Sequence, residues 1–506
     1  MHIFNIKSFL LIFVLIFVNN VIRGQKNPHY VDNRTTMVHL FEWKFDDIAK
    51  ECERFLGPAG YAAVQVSPVN ENMILSKRPW FERYQPISYK IATRSGNELE
   101  FKNMVKRCNA VGVRIFVDVV VNHMTTDQSP AIGTGDTRAV PQNREYPTVP
   151  YGPNDFHQQC TIANYKNATE VRVCELSGLH DLNQTRENVR DAIVDFLDRC
   201  VDAGVAGFRF DAAKHMFPND LKVIYGRIKN LNTKHGYKKN SRPFIYQEVI
   251  DLGGEAVSKF EYNEFGTVIE FAFGIILGMM FRNEKELKDL ANWGESVAWG
   301  LLPSSDAVVM IDNHDNQRGH GAGGASILNY KFPKQYKMAQ AFMLAHPYGN
   351  ARVMSSFAFT DPNAGPPADK NGNLISPIIN ENGNSCDNGW VCEHRWPQIR
   401  NMVIFRNIVK NSKLTKWWSN GKNQIAFARD RLGFIVFNNQ NQDLKQRLDT
   451  GLPAGRYCDI ITGNHESDKK KCSGKTIHID KNGFADFEIS QNANDGVIAI
   501  HVNAKL

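Results

Sequence analysis

From residue 36 onward, short apolar runs alternate with amphipathic stretches, the pattern of repeated strand and helix units around a parallel sheet. The runs Met37–Phe41, Ala63–Val66, Arg114–Val121, Gly207–Phe210, Pro243–Val249, Val268–Phe271, Ala307–Ile311 and Arg352–Ser356 are predicted strands. Helical patterns lie between them: Phe45, Ile48, Ala49, Cys52, Phe55 and Leu56 share one face, closed by Gly57 and Pro58. Eight such units favour an α/β fold of the closed (β/α)8 barrel type over an open sheet. The spacing breaks after the third strand, where about sixty residues rich in Pro, Gly, Asn and Thr precede a helix starting near Glu187, so this stretch must organise as a subdomain. Beyond Asn411 the pattern changes to short β runs, Gln424–Ala428, Gly433–Asn438, Thr476–Ile479 and Gly496–His501, which predict an all-β sandwich. The expected division is a barrel of residues 25–122 and 182–410, an inserted loop domain of 123–181, and a C-terminal domain of 411–506.

Composition narrows the class. A 506-residue chain with 42% hydrophobic residues can bury a large core. Its 60 Lys and Arg against 53 Asp and Glu give +7 without a run of five or six like charges, which makes no case for nucleic acid. At the N-terminus Lys7, the apolar run Phe9 to Val18 and the small residue Gly24 follow the order of a secretory signal peptide, predicted over residues 1–24. That run is too short to cross a bilayer core of about 30 Å, and no later stretch is long enough, so a soluble, extracellular chain without a membrane partner is expected.

Nine cysteines fit that compartment. Cys160 with Cys174, Cys386 with Cys392, and Cys458 with Cys472 form local pairs, and Cys52 with Cys108 could make a fourth, although spacing does not fix connectivity. Cys200 falls on an apolar helix face and reads as a buried, inert thiol. Asn33, Asn167 and Asn183 each open an Asn-x-Thr sequon.

In such a barrel, chemistry gathers where strands end at the C-terminal face. The fourth strand runs into Asp211, the fifth into Glu248, and the seventh into Asp312-Asn-His-Asp315. Acids placed directly after apolar strands point to paired or tuned carboxylates. For Asp211 alone a structural ion pair with Arg209 is the better account; three such strand ends on one face favour function.

The segments Val38-His-Leu-Phe-Glu-Trp43, Val64-Gln-Val-Ser-Pro68, Asp118-Val-Val-Val-Asn-His123, Gly207-Phe-Arg-Phe-Asp-Ala-Ala-Lys-His215, Gln247-Glu-Val249 and Ile311-Asp-Asn-His-Asp315 occur in an order that resembles the animal-type alpha-amylases along the mature chain. The resemblance implies retaining hydrolysis of internal α-1,4 links in starch, glycogen and maltooligosaccharides, by a monomer secreted into digestive fluid. It makes Asp211 the nucleophile, Glu248 the proton donor, and Asp315 the carboxylate that holds sugar hydroxyls and stabilises the transition state. His123 and His314 would donate hydrogen bonds to the same sugar.

Two ions are implied by the resemblance alone. Calcium would be held by the side chains of Asn122 and Asp181 and the backbone carbonyls of Arg172 and His215, all oxygen ligands. Chloride would be held by Arg209, Asn313 and Arg352, where it would offset the guanidinium near Glu248. Substrate contacts fall by the same resemblance on Trp80, Phe81, Tyr84, Gln85, Lys214 and His320, with Phe81 standing where a Trp is usual. Gly319-His-Gly-Ala-Gly-Gly324 has the spacing of a dinucleotide loop, but it trails the Asp315 segment instead of a strand end, so no nicotinamide is expected.

Overall fold

The structure, a computed structural model, describes residues 25–294, 297–466, 468 and 470–506; the expected signal peptide lies outside them. Eight strands form a closed barrel: β1 (Thr36–Leu40), β2 (Ala63–Val66), β3 (Arg114–Val119), β4 (Gly207–Phe210), β5 (Phe244–Gln247), β6 (Thr267–Ile269), β7 (Ala307–Val309) and β8 (Asn350–Ser355). Each strand neighbours the next in sequence, and β8 returns to β1 in parallel register, with Thr36 opposite Ala351. The strands fall where the apolar runs predict, one or two residues shorter at several ends. The sixth stops short of the expected Phe271: Glu270 ends it, because its Oε1 accepts the Ala272 N–H at 3.3 Å and caps a helix from Phe271 to Phe281.

The chain forms two compact units, residues 25–29, 66–110 and 114–269 in one, 30–65, 111–113 and 270–506 in the other. In the first, α1 (Glu187–Ala203) starts at the predicted Glu187 and ends on Gly204 in the left-handed region. In β4, period-two alternation turns Phe208 and Phe210 to one side and Gly207, Arg209 and Asp211 to the other. Phe210 packs 4.5 Å from the ring of Tyr225 on the helix Pro218–Arg227, so the other side faces the barrel interior. Gly207 is required there, since a Cβ would stand 2.2 Å from the Phe244 carbonyl oxygen on the next strand. The long connection after β3 contains only short elements, among them the strand pair Ala131–Ile132 and Arg138–Ala139, and is tied by the Cys160–Cys174 disulfide.

In the second unit the predicted helix from Phe45 is an α-helix only to Glu51. Residues Cys52–Leu56 then widen into a π-turn, closed by the Gly57 N–H on the Cys52 carbonyl at 2.9 Å. The C-terminal part opens with a four-stranded antiparallel sheet, β9 (Leu414–Ser419), β10 (Gln424–Arg429), β11 (Gly433–Asn438) and the last strand Val497–His501. Alternate residues Ala426, Ala428, Phe434 and Val436 join Phe487, Ile489, Leu444 and Ile479 in one core, as a sandwich requires. Every residue of β11 is buried, because Phe437 also packs on Phe281 and Phe342 of the barrel's helical layer. The facing strand Phe484–Ile489 alternates exposed and buried, with one side left to water.

Cys386–Cys392 and Cys458–Cys472 are bridged, Cys52 and Cys108 are disulfide-bonded, and Cys200 is free and buried, its thiol pushed up to about 12 by burial. Among the described residues no helix is long and apolar enough to cross a membrane.

Candidate active site

The backbone ladder continues past the strand ends and fixes both acids. Asp211 N–H donates to the Val119 carbonyl at 3.0 Å, and Glu248 N–H donates to that of Phe210 at 2.9 Å. In register, Asp118 of β3 and Tyr246 of β5 flank Arg209 of β4. The guanidinium of Arg209 therefore lies among three carboxylates. Its Nη1 donates to Asp118 Oδ1 and Oδ2 at 2.6 and 2.8 Å and to Asp211 Oδ1 at 2.9 Å, and Nη2 pairs with Glu248 Oε1 at 2.8 Å. Glu248 Oε2 accepts the N–H of Ala212 at 2.8 Å. Ala212 holds a left-handed φ of 47° to present it, a conformation that costs an L-residue about 1–2 kcal/mol.

Exposure separates the three acids. The Asp118 side chain is 0% exposed, whereas those of Asp211 and Glu248 each retain 11%, so only the latter two can meet a ligand. Burial pushes the Asp118 carboxyl up and the charge of Arg209 opposes that shift. Burial disfavours the Arg209 cation, but Asp118, Glu248 and Asp211 together hold it well above its ordinary range. Tyr84 completes the set by donating its hydroxyl to Asp118 Oδ2 at 2.9 Å. The contacts of Asp118 with Arg209 and of the Tyr84 hydroxyl with Asp118 are ones that sequence reasoning misses. The signal for Asp118 is a charge inside an apolar strand, which needs a buried cationic partner.

Asp315 is organised by its own turn after β7. The Asn313 amide oxygen accepts the N–H groups of Asp315 and Asn316 at 3.2 and 2.7 Å, and its nitrogen donates to Asp315 Oδ2 at 3.2 Å. His314 Nε2 lies 3.3 Å from the same oxygen, with its ring 5.0 Å from that of Phe41. His320 is exposed, and its N–H donates to the Asp315 carbonyl at 3.1 Å. Arg352 donates to Gln65 Oε1 at 2.7 Å and approaches the Met310 sulfur at 2.5 Å.

The predicted sugar contacts are more occupied than expected. His123 donates Nε2–H to the Tyr84 carbonyl at 3.0 Å and accepts the Asn122 amide on Nδ1 at 3.2 Å, and burial lowers it to about 4, which keeps it neutral. Lys214, read as solvated without the resemblance, is buried: it donates to the Ile250 carbonyl at 2.7 Å, pairs with Glu255, and lies 5.1 Å over the Tyr165 ring. His123 reaches a ligand only by exchanging one of its two ring bonds, whereas the Lys214 ammonium has a third N–H beyond those given to Ile250 and Glu255. Trp80, Phe81 and Tyr84 share one 3-10 turn, with Trp80 edge-on to Phe81 at 5.8 Å and to Tyr84 at 6.0 Å, and the Gln85 side chain accepts Thr126 N–H and O–H.

The oxygen set expected for calcium fits a hard cation. Asn122 Oδ1 and Asp181 Oδ1 are buried without a hydrogen-bond partner, and burial pushes the Asp181 carboxyl up to about 7. The Arg172 side chain is committed elsewhere, to Glu261 at 2.8 Å and the Tyr262 hydroxyl at 3.2 Å, so its carbonyl is the group it has to offer. His215 Nδ1 is bonded to the Val171 carbonyl at 2.9 Å, and burial lowers the ring to about 4. No group of three or more His, Cys, Asp or Glu side chains that could hold a metal ion occurs among the described residues, so the donors expected for calcium are one carboxylate with amide and carbonyl oxygens. For an anion, Arg209 Nε is buried without a hydrogen-bond partner, and the two Arg352 contacts above are to neutral groups.

Comparison with known proteins is consistent throughout. The alpha-amylase catalytic-domain family matches residues 54–349, and the alpha-amylase C-terminal all-beta domain matches 417–503. The chain belongs to the alpha-amylase family. It is a glycoside hydrolase of that family, 57% identical over 481 residues to an alpha-amylase of Tribolium castaneum, covering 95% of this chain and 96% of the relative. It is 56% identical over 482 residues to an alpha-amylase of Tenebrio molitor, covering 95% of this chain and all of that one. Alpha-amylase I of Eisenia fetida superposes with a TM-score of 0.88 at 44% identity, covering 94% of this chain and 98% of that one, and a mutant of that enzyme has been solved with maltohexaose.

Proposed function

We propose that Asp211 and Glu248 carry a retaining cleavage of internal α-1,4-glucosidic bonds in starch, glycogen and maltooligosaccharides. One observation supports this above the rest: a single guanidinium, Arg209, holds both carboxylates while each keeps an exposed edge. Retaining glycosidases need two carboxyl groups about 5 Å apart, one to attack and one to give a proton. An Asp211 oxygen attacks the anomeric carbon as Glu248 protonates the departing glycosidic oxygen, giving a glycosyl ester. Glu248 then takes a proton from water, whose oxygen attacks the same carbon and frees the Asp211 carboxylate. Asp315, fixed by Asn313, holds sugar hydroxyls and favours the flattened ring of the transition state. The charge imbalance of three carboxyls on one cation favours retention of a proton within the cluster.

The first product from amylose, followed by NMR with viscosity in parallel, should be the α-anomer with an early fall in viscosity. A β-anomer rejects the assigned roles, and a late fall in viscosity rejects internal attack.

Calcium would be held by Asn122, Asp181 and the carbonyls of Arg172 and His215, where it would supply structural charge to the inserted segment. Chloride would be held by Arg209, Asn313 and Arg352, where it would balance positive charge beside Glu248. Dialysis into chloride-free buffer should cut turnover of the wild type and leave Arg352→Gln nearly indifferent; equal sensitivity of the two rejects the site.

The four disulfide pairs and the N-terminal apolar segment support secretion, and the monomeric state and digestive fluid rest on the family resemblance alone. N-linked glycan is compatible with Asn33 and Asn167, both exposed; Asn167 Oδ1 caps the helix Ala168–Val173, which leaves its nitrogen for the sugar.

A further inference from the structure

We propose that His157 is a positioning residue of the cation site, which turns one oxygen of Asp181 toward the ion by holding the other. The inference rests on the calcium reading above. His157 grips Asp181 at two points: Nδ1 lies 2.7 Å from Asp181 Oδ2, and its backbone N–H donates to the Asp181 carbonyl at 3.0 Å. The adjoining residues Phe156 and Leu182 pair as a β-bridge, which fixes the two segments in register. With Oδ2 occupied and the backbone held, rotation of the Asp181 carboxylate is blocked, and Oδ1 is left buried with no hydrogen-bond partner.

Asn122 repeats the arrangement from the other side. Its amide nitrogen donates to His123 Nδ1 at 3.2 Å, and its Oδ1 is likewise buried and unpartnered. His123 bridges to Asp181, and Leu182 N–H donates to the Asn122 carbonyl at 2.9 Å, so the two unpartnered oxygens belong to paired segments. Each side-chain ligand thus has an imidazole behind it. Such outer partners orient metal ligands, and their loss typically costs about 10–100-fold in metal affinity.

The test is the melting temperature of the full chain as a function of free calcium, set with a chelator buffer, for wild type, His157→Ala and His157→Asn. The His157→Ala midpoint should move to calcium concentrations about 10–100-fold higher. Asn keeps an amide donor and should restore most of the shift. A merely structural histidine would lower the melt by the same amount at every calcium concentration; that result, or an unmoved midpoint, overturns the proposal. A wild type whose melt ignores calcium overturns the calcium reading itself, and the proposal with it.

Discussion

Two buried ionic clusters of this protein use the same side-chain types to opposite ends. Around Arg209, one cation faces three carboxylates, and two of those reach the surface. Around Glu51, one carboxylate faces two arginines and a histidine: Oε1 accepts His394 Nε2 at 3.0 Å and Arg395 Nε at 2.5 Å, and Oε2 accepts Arg395 Nη2 at 2.7 Å and Arg54 Nε at 2.9 Å. His394 continues to Ser355 Oγ at 2.9 Å, so Ser355, His394 and Glu51 stand in the order of a nucleophile, base and acid. All three are 0% exposed, and no substrate can reach them. Both Glu51 oxygens are satisfied, and these partners overcome burial to hold the carboxyl down at about 2. The difference teaches that residue identity and order do not mark a site; unbalanced charge at an accessible edge does.

The comparison breaks most sharply at Asp211. Asp211→Asn should lower kcat by roughly 10⁴-fold or more with the circular dichroism spectrum and melt retained, and substantial residual turnover would remove Asp211 from the nucleophile role. Glu51→Gln should do the reverse. It leaves the buried Arg395 guanidinium without its counter-charge, at about 3–5 kcal/mol of unfolding free energy in a denaturant titration, while turnover per folded molecule holds. A Glu51→Gln protein as stable as wild type would show that the cluster contributes nothing to the fold.

Acid sharpens the same contrast. Glu51 is lowered from 4.5 to about 2 in the folded chain, so its contribution is complete above pH 4.5 and is lost as pH falls through about 2. Wild type should therefore lose stability more steeply than Glu51→Gln across that window, and parallel acid titrations would contradict the assignment. The smallest effect is expected at Tyr84→Phe, which keeps the ring and deletes only the donor to Asp118. A kcat lower by about tenfold with KM nearly unchanged is the expected outcome. A change confined to KM would make Tyr84 a sugar contact and leave Asp118 independent of it.

Much of this was legible along the chain. The eight strands and the β-rich C-terminal part follow from period-two and period-3.6 patterns, which depend on neighbours in sequence. The strand-end acids could be placed because a strand delivers its last residue to a known end of the barrel. The Glu270 cap and the π-turn after Glu51 escaped, since each turns on one side-chain or backbone hydrogen bond that periodicity does not encode. His157 carried no signal at all: its partner is twenty-four positions away and is met only through the pairing of Phe156 with Leu182.

The sequence by itself determined which residues could be strands, helices and acids, because those properties are local to the chain and to the chemistry of each side chain. Tertiary structure alone decided that one guanidinium binds Asp211 and Glu248 together, that Asp118 is closed off while those two are open, and that Asn122 and Asp181 each keep an oxygen unpartnered. Those are matters of distance and access to water, and both arise only when segments far apart in sequence fold against one another.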